Sequence, residues 1–317
     1  MKSKVNAIAR AAVCAGMLAS AALLASCGGG GQPVVVFNAT RVIAFGDEFS
    51  VITSDQKKYT VNALLASSTT AVDCLSNPLW IQLLAARYGL VFPQCPGDTP
   101  DPVSRLRAAN GALVADLAGQ IDQQLNDGGF AAGDLATVLL GANDVVEQFA
   151  QYPAVSEDEL LTNLDAAGTE LANQVNRLAD LGAKVLVSTI PDMGLTPFGG
   201  DRSVGSTDGN PALLTRLSQR FNDAMLARLK NDGHKIGLIQ LEDYLRGLDT
   251  ASRLGTGTYA NTIAAACTVA LPNCTANTLV TDATTSAFLW ADDRHLGPNG
   301  QANLGSLAGA RAQSNPF

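Results

Sequence analysis

Short apolar runs alternate with longer amphipathic segments over most of the chain. Four of these runs predict buried strands, at 41–47, 134–144, 183–194 and 235–245. Apolar residues at helical spacing predict helices at 77–90, 111–125, 157–182 and 210–233. Strands that alternate with helices predict an α/β protein with a mostly parallel sheet that is covered by helices on both faces.

The ends of three predicted strands carry residues that suit a site: Asp47 with Glu48, Asn143 with Asp144, and Pro191 with Asp192. Ligands of parallel sheets bind at the carboxyl ends of the strands, so we expect a site at this edge. The loop-rich segment 54–104 and the stretch 246–288 are expected to shape the choice of substrate.

The first residues predict an export signal and a lipid anchor. Positive residues precede an apolar run over 11–24, which is too short to span a membrane and suits a secretory signal. The following Leu-Ala-Ser-Cys sequence resembles the lipobox of bacterial lipoproteins and predicts cleavage before Cys27, with a lipid on its sulfur. An ordinary signal peptide with an incidental cysteine is the alternative. Gly28 after the cysteine favours the outer membrane.

This organisation divides the chain into three parts. A signal peptide is predicted over 1–26, and a lipidated cysteine with a glycine-rich flexible tether over 27–37. A single domain is predicted over 38–317.

The composition supplies a large core and excludes a nucleic-acid partner. Hydrophobic residues make up 47% of the 317 residues and charged residues only 16%. The formal net charge is -8, and no basic stripe is visible. Phosphate binding needs clustered Lys and Arg, so we expect no nucleic acid among the partners.

The four remaining domain cysteines, Cys74, Cys95, Cys267 and Cys274, suit an oxidising compartment. They allow three pairings, of which the nearest-neighbour one joins Cys74 to Cys95 and Cys267 to Cys274. A metal site is the alternative. It is disfavoured because no Cys-x-x-Cys is present and the chain has only two histidines.

Three short motifs carry the candidate chemistry. They are Phe-Gly-Asp-Glu-Phe-Ser at 45–50, Gly-Ala-Asn-Asp at 141–144 and Asp-Asp-Arg-His at 292–295. Taken singly, each is weak, because Asn and Asp after a strand often only cap the next helix. The other histidine, His234, is predicted to be structural or solvated in a turn between a helix and a strand.

Taken together and in this order, the motifs resemble the SGNH/GDSL hydrolase family. The segment Arg-Ala-Ala-Asn-Gly-Ala-Leu at 107–113 resembles the family's second block, with Gly111 as its glycine. The resemblance covers nearly the whole domain and implies a three-layer α/β/α sandwich with a mostly parallel, flavodoxin-like sheet. It also implies an esterase or lipase that needs no metal or organic cofactor.

The resemblance assigns roles to individual residues. His295 would be the general base, with Asp292 fixing its tautomer. Gly111, Asn143 and the backbone N–H after Asp47 would stabilise an oxyanion. Asp144 completes the second motif as a supporting residue.

Residue 48 departs from the family because Glu48 stands where the family has its nucleophilic serine. Four interpretations are open. Ser50 takes over as nucleophile, although helix-start chemistry explains that serine more simply. Glu48 attacks the ester itself. Glu48 and His295 together activate a water molecule. Finally, the Glu48 carboxylate occupies the oxyanion site and the protein binds without turnover.

The sequence as a whole predicts an exported, lipid-anchored ester hydrolase with an atypical nucleophile position. Its substrate would be a small-molecule, lipid or glycan ester, and it would contact the membrane through Cys27. The alternative from another class is an inactive lipoprotein on the same fold that binds an ester, lipid or glycan.

Overall fold

The computed structural model describes residues 37–200 and 209–314. The predicted signal peptide, the lipidation of Cys27 and nearly all of the tether lie outside the described residues. Among the residues described, no helix is long and apolar enough to cross a membrane.

The described chain contains nine strands and seven α-helices. The strands are β1 Arg41–Gly46, β2 Ala63–Leu64, β3 Val72–Asp73, β4 Arg105–Leu106, β5 Asp134–Leu139, β6 Lys184–Ser188, β7 Ile236–Ile239, β8 Asn261–Ala265 and β9 Phe288–Trp290. The helices are α1 Trp80–Ala86, α2 Leu117–Asn126, α3 Ala142–Phe149, α4 Glu157–Asp180, α5 Pro211–Arg228, α6 Leu241–Arg253 and α7 Pro298–Ala312.

The main sheet has five parallel strands in the order β4-β1-β5-β6-β7. Strand β5 is central, with β1 and β6 beside it, and every residue of β5 is buried, because helices cover both faces of a parallel sheet. Helices α1 and α7 pack together, whereas α4 packs against α2, α3 and α5. The chain leaves β1 toward β4 on one side and later returns to β5 on the other. The carboxyl end of β1 is therefore the switch point at which such sheets bind ligands.

Two glycines allow the close approaches around this switch point. Gly46 ends β1 at φ 126°, and a Cβ there would lie 2.1 Å from the carbonyl oxygen of Leu139. Gly141 precedes α3 at φ 122°, and a Cβ there would lie 2.1 Å from the Phe221 ring. A side chain at residue 46 would therefore force β1 away from β5, and one at residue 141 would displace the Phe221 ring of α5.

Several predicted boundaries were wrong. The apolar run 235–245 is strand only over β7, and its second half begins α6, where Leu241 and Leu245 are buried at helical spacing. The run 134–144 is strand only over β5, because Gly141 turns the chain into α3. Helix 77–90 shortens to α1, and helix 111–125 begins only at Leu117.

The cysteine pairing is confirmed. Disulfides join Cys74 to Cys95 and Cys267 to Cys274, with a Cα–Cα distance of 5.9 Å in each. The second disulfide closes a hairpin that follows β8. The small parallel sheet of β8 and β9, which lies next to this hairpin, has no counterpart among the predicted elements.

Candidate active site

The turn after β1 carries Glu48 and is held from both sides. Asp47 caps a short 3-10 turn over Glu48–Ser50, its carboxylate accepting from the Phe49 N–H at 3.1 Å. The buried Gln120 amide of α2 binds Gly46 twice: it accepts from the Gly46 N–H at 2.9 Å and donates to the Gly46 carbonyl at 2.8 Å. The backbone just before Glu48 therefore has little freedom.

Two donors converge on one oxygen of Glu48. The Gly111 N–H donates to Oε2 at 2.8 Å, and the Asn143 side-chain amide donates to the same atom at 3.0 Å. Gly111 lies in the loop after β4, whereas Asn143 lies in the first turn of α3. The three strands at the switch point thus each contribute one member of the cluster. Two N–H groups aimed at one negatively charged oxygen are the arrangement that stabilises an oxyanion.

Asp144 joins the two donor segments without touching Glu48. Its carboxylate oxygens accept from the Val114 N–H at 3.1 and 3.3 Å, which ties the Gly111 loop to α3. Burial raises the pKa of Asp144 to about 6. The Asn143 amide also donates to the Ala112 carbonyl at 3.2 Å, which fixes its orientation.

His295 and Asp292 lie on the loop between β9 and α7. Nδ1 of the ring lies 2.8 Å and 3.0 Å from the two Asp292 oxygens, and the same carboxylate accepts from the backbone N–H of His295 at 2.7 Å. An Asp three residues before the His can therefore bind both its backbone and its ring. The pairing leaves Nε2 free to face Glu48.

Nε2 of His295 lies 3.3 Å from Oε1 of Glu48. The Nε2–H bond of His295 does not point at this oxygen with hydrogen-bond geometry. The contact is therefore an ion pair and not a directed hydrogen bond. The Glu48 carboxylate thus spans the site, with one oxygen held by the oxyanion donors and the other beside the imidazole.

The pair is charged at neutral pH. Burial raises the pKa of Glu48, but the contact and charge of His295, together with the Gly111 N–H, outweigh it and lower the pKa to about 2. Burial likewise lowers the pKa of His295, but Asp292 and Glu48 outweigh it and raise the pKa to about 9. Between about pH 2 and pH 9 the Glu48 carboxylate is therefore ionised and the His295 imidazole is protonated.

The pKa of Asp47 is shifted in the opposite direction from that of Glu48. Burial, followed by the charge of Glu48, raises the pKa of Asp47 well above its usual value. Its second oxygen has no hydrogen-bond partner among the described residues. Asp47 therefore supports the turn with a carboxyl group that is harder to ionise than that of Glu48.

Two aromatic rings flank the imidazole. The centroid of the Phe49 ring lies 5.0 Å from that of His295, and the Tyr59 ring lies 5.9 Å away on a half-buried side chain. Burial, followed by the charge of Glu48, raises the pKa of Tyr59. The imidazole beside these rings is itself buried.

Glu48, Gly111, Asn143, Asp292 and His295 are thus brought into one cluster, with Asp47 and Asp144 behind it. Ser50 does not join it: the side chain is fully buried, and its hydroxyl has no hydrogen-bond partner in the described part of the chain. His234 lies exposed in the turn before β7, where its carbonyl accepts from Lys184.

One acidic cluster has metal-ligand spacing. Asp292, Asp293 and His295 offer atoms that lie within 4.8 Å of one another. Each already has a protein partner, because Asp292 binds the imidazole and Asp293 is paired with Arg294 at 2.9 Å. Protein contacts therefore account for the cluster.

Sequence reasoning missed Gln120 and Tyr59. Gln120 occupies an ordinary inward position of α2, and Tyr59 lies in a loop with no motif. No local pattern distinguishes either residue, because their roles depend on segments that are distant in the chain.

Comparison with protein families matches the family described as GDSL-like Lipase/Acylhydrolase over residues 44–308. The protein belongs to this family, which confirms the predicted family and supports ester hydrolysis as its activity. The fold agrees with this assignment, since the sheet and its helices have the predicted α/β/α arrangement.

Solved structures with a similar fold include a lipase from a goat rumen metagenome, at 12% identity and a TM-score of 0.51, covering 87% of this chain and 99% of that one. An extracellular lipase from Streptomyces rimosus has 17% identity and a TM-score of 0.46, covering 87% and 100%. A catalytic mutant of an acetylxylan esterase from Geobacillus stearothermophilus has 11% identity and a TM-score of 0.47, covering 89% and 99%. Comparison with curated proteins gave no match.

Proposed function

We propose that the protein hydrolyses esters at the cluster around Glu48 and His295, with water as the nucleophile. One observation carries this proposal: two oxyanion donors and a histidine–aspartate pair meet at the same carboxylate. Acyl transfer needs both parts, a base for the attacking group and preorganised donors for the oxyanion.

Two protein nucleophiles are less suitable than water. The Ser50 hydroxyl is fully buried outside the cluster, and no base contacts it in the described structure. The Glu48 carboxylate could add to an ester carbonyl. However, a carboxylate leaves a tetrahedral intermediate more readily than an alkoxide does, so that adduct would mostly return to reactants.

The proposed reaction begins with neutral His295. Nε2 takes a proton from water while the water oxygen forms a bond to the ester carbonyl carbon. The resulting oxyanion replaces Oε2 of Glu48 between Gly111 and Asn143. The intermediate then breaks its bond to the alcohol oxygen, which receives the proton from His295, and the acid and the alcohol are released. Asp292 holds the ring in the tautomer that leaves Nε2 free to accept.

The resting charges make this reaction slow at neutral pH. The pKa of about 9 keeps His295 protonated and unable to act as a base. In addition, the ionised Glu48 occupies the donors that the oxyanion needs. We therefore expect a weak esterase whose activity rises under alkaline conditions.

A second function is favoured by the double hydrogen bond to Oε2. A carboxylate that already satisfies both donors resembles a bound anion and can lock the site permanently. In that case the protein would bind an ester, lipid or glycan without turnover, which is the alternative that the sequence left open.

The test is hydrolysis of p-nitrophenyl acetate and butyrate by the purified protein and by Glu48→Ser and His295→Ala, with His234→Ala as the matched control. We expect kcat/KM of the unmodified protein to rise with pH through about 9, as the pKa of His295 requires. Glu48→Ser restores the family nucleophile and frees the donors, so its activity at pH 7 is expected to be at least about 100-fold higher. His295→Ala abolishes turnover, whereas His234→Ala leaves it unchanged.

Each outcome separates the alternatives. A rate that falls above pH 9 would instead indicate attack by Glu48, with protonated His295 as the acid. Turnover by Glu48→Ser alone would establish the non-catalytic function for the natural chain. Inactivity of both proteins at every pH would contradict the hydrolase proposal.

We further propose that the protein is exported and held at the outer membrane by a lipid on Cys27. The support is the lipobox-like sequence after the apolar run, and the disulfides suit an oxidising compartment. Cys27→Ala in the full chain is expected to move the protein from the membrane fraction to the soluble fraction. Unchanged fractionation would contradict the anchor.

A further inference from the structure

The disulfide hairpin after β8 hydrogen-bonds directly to the backbone next to Asp292. The Cys267 N–H donates to the Ala291 carbonyl at 2.8 Å, and the Ala266 N–H donates to the Trp290 carbonyl at 3.0 Å. These two bonds continue the pairing of β8 with β9 up to the start of the loop that carries His295. The position of this end of the loop is therefore fixed by residue 267, one partner of the disulfide.

The other end of the loop is held by the segment 58–62. The hydroxyl of the fully buried Thr60 donates to the Leu296 carbonyl at 2.9 Å, directly after His295. This bond would be of little use if the segment itself were free to move. Lys58 anchors one end of the segment, because its ammonium donates to the Cys74 and Ser76 carbonyls at 2.9 and 2.6 Å, and a second contact anchors the other end.

Asn62 provides that contact, and it leads back to the same disulfide. The Asn62 N–H donates to the Cys274 carbonyl at 2.8 Å, and its side-chain amide donates to the Pro272 carbonyl at 2.8 Å. The side chain is completely buried, so both bonds are shielded from water. The two cysteines thus each hold one support: Cys267 contacts Ala291, and Cys274 contacts the segment that binds Leu296.

Apolar packing also joins the disulfide, the segment 58–62 and the start of the His295 loop. Val61, Cys274 and Ala291 form a small buried cluster that is separate from the main core. Within the loop, the Ala291 N–H donates to the His295 carbonyl at 2.7 Å. A displacement of the hairpin would therefore be transmitted to the backbone of His295 itself.

We propose that the Cys267–Cys274 disulfide is a positioning element for His295, which keeps the imidazole aligned with both Asp292 and Glu48. The catalytic meaning of this role rests on the proposed function. The alignment itself does not, so the two can be tested separately. Opening the disulfide lets residues 267–274 spread, loosens both supports and separates the ring from its two carboxylates.

The test follows the imidazole signals by NMR as the pH is changed. The chain has only two histidines, and the exposed His234 serves as an internal reference that His234→Gln assigns. In the unmodified protein we expect His295 to titrate near its pKa of about 9. In Cys267→Ser/Cys274→Ser we expect its titration to fall by about one unit or more toward the ordinary value, because the two carboxylates no longer align.

Cys74→Ser/Cys95→Ser is the matched control. It removes the other disulfide, which joins the loops on either side of α1 and contacts the segment 58–62 through the Lys58 ammonium, which donates to the Cys74 carbonyl at 2.9 Å. We expect it to shift the titration of His295 less than Cys267→Ser/Cys274→Ser does, because this backbone carbonyl remains when the disulfide is removed. Thr60→Val keeps both disulfides and removes only the bond to Leu296, and it should lower the titration midpoint by a smaller amount. If the Cys267→Ser/Cys274→Ser protein does not fold, the test rests on Thr60→Val. A lower titration midpoint of His295 in that variant supports the positioning role, and an unchanged midpoint overturns it.

An esterase assay on the same samples separates this inference from the proposed function. A shifted titration supports both when it comes with an unchanged KM and a lower kcat above pH 9, where His295 is neutral in both proteins. A shifted titration without turnover in any variant supports the positioning role and contradicts the hydrolase. Lower thermal stability with an unshifted His295 overturns the positioning role, because a purely structural disulfide would give that result.

Discussion

The side chain of Glu48 determines both the charge of His295 and what occupies the two N–H donors of the site. A serine at residue 48 would place a neutral hydroxyl beside His295. Glutamate is longer and charged, so its carboxylate reaches past that point to the Gly111 and Asn143 donors. The same charge raises the pKa of His295 and keeps the imidazole protonated at neutral pH. Glu48 therefore affects both parts of the proposed site, because it occupies the two N–H donors and keeps the imidazole charged.

The buried Gln120 gives a prediction at this scale. Gln120→Leu keeps a similar volume but removes both hydrogen bonds to the Gly46 backbone. We expect the free energy of unfolding to fall by about 2 kcal/mol, because buried polar groups lose their partners. Gln123→Leu on the exposed face of α2 is the control and should change stability by less than about 0.5 kcal/mol. Urea denaturation measures both, and equal effects would mean that the contact to Gly46 contributes nothing.

At the scale of elements, the sequence predicted the order of strands and helices better than their limits. Long periodic segments such as α4 and α5 were found close to their predicted positions because one apolar face recurs over many turns. The run 235–245 contains enough apolar residues for one long strand, but its second half buries Leu241 and Leu245 on a helix. A short apolar run does not distinguish these outcomes by periodicity, and packing decides between them.

The small sheet of β8 and β9 shows a related effect. Its strands have few residues, and β8 is mostly half-buried or exposed, so neither strand produces a clear pattern in the sequence. Hydrogen bonds from the disulfide hairpin to the Trp290 and Ala291 carbonyls continue the pairing of β8 with β9 toward the His295 loop. The second disulfide was correctly paired from the sequence, yet its place behind Asp292 followed only from the fold.

At the scale of the whole molecule, the charged pair links stability to pH. The pKa of His295 rises from 6.5 to about 9 on folding, so the stability it contributes is complete below pH 6.5 and is lost as the pH rises through 9. The pKa of Glu48 falls from 4.5 to about 2, so its contribution is complete above pH 4.5 and is lost as the pH falls through 2. Both are fully present only between pH 4.5 and 6.5.

We expect the unfolding free energy to fall by up to about 3 kcal/mol between pH 6.5 and 9 through His295, since each pKa unit corresponds to about 1.4 kcal/mol. Glu48→Gln removes one of the two carboxylates that raise this pKa, so its stability should decline less over the same range. Denaturation at a series of pH values compares the two proteins. Parallel curves would show that Glu48 does not couple to His295.

The sequence by itself predicted the family, the alternating α/β order, the nearest-neighbour disulfide pairing and the residues that cluster around Glu48. These features depend on residue types at short spacings: apolar periodicity, a glycine that a turn requires, and an Asp three residues before a His. Whether Glu48 acts catalytically stays a prediction. The tertiary structure alone decided where its carboxylate lies, because Gly111, Asn143 and His295 reach it from distant segments. It also decided the roles of Gln120 and the Cys267–Cys274 hairpin, because hydrogen bonds between remote parts of the chain leave no local pattern.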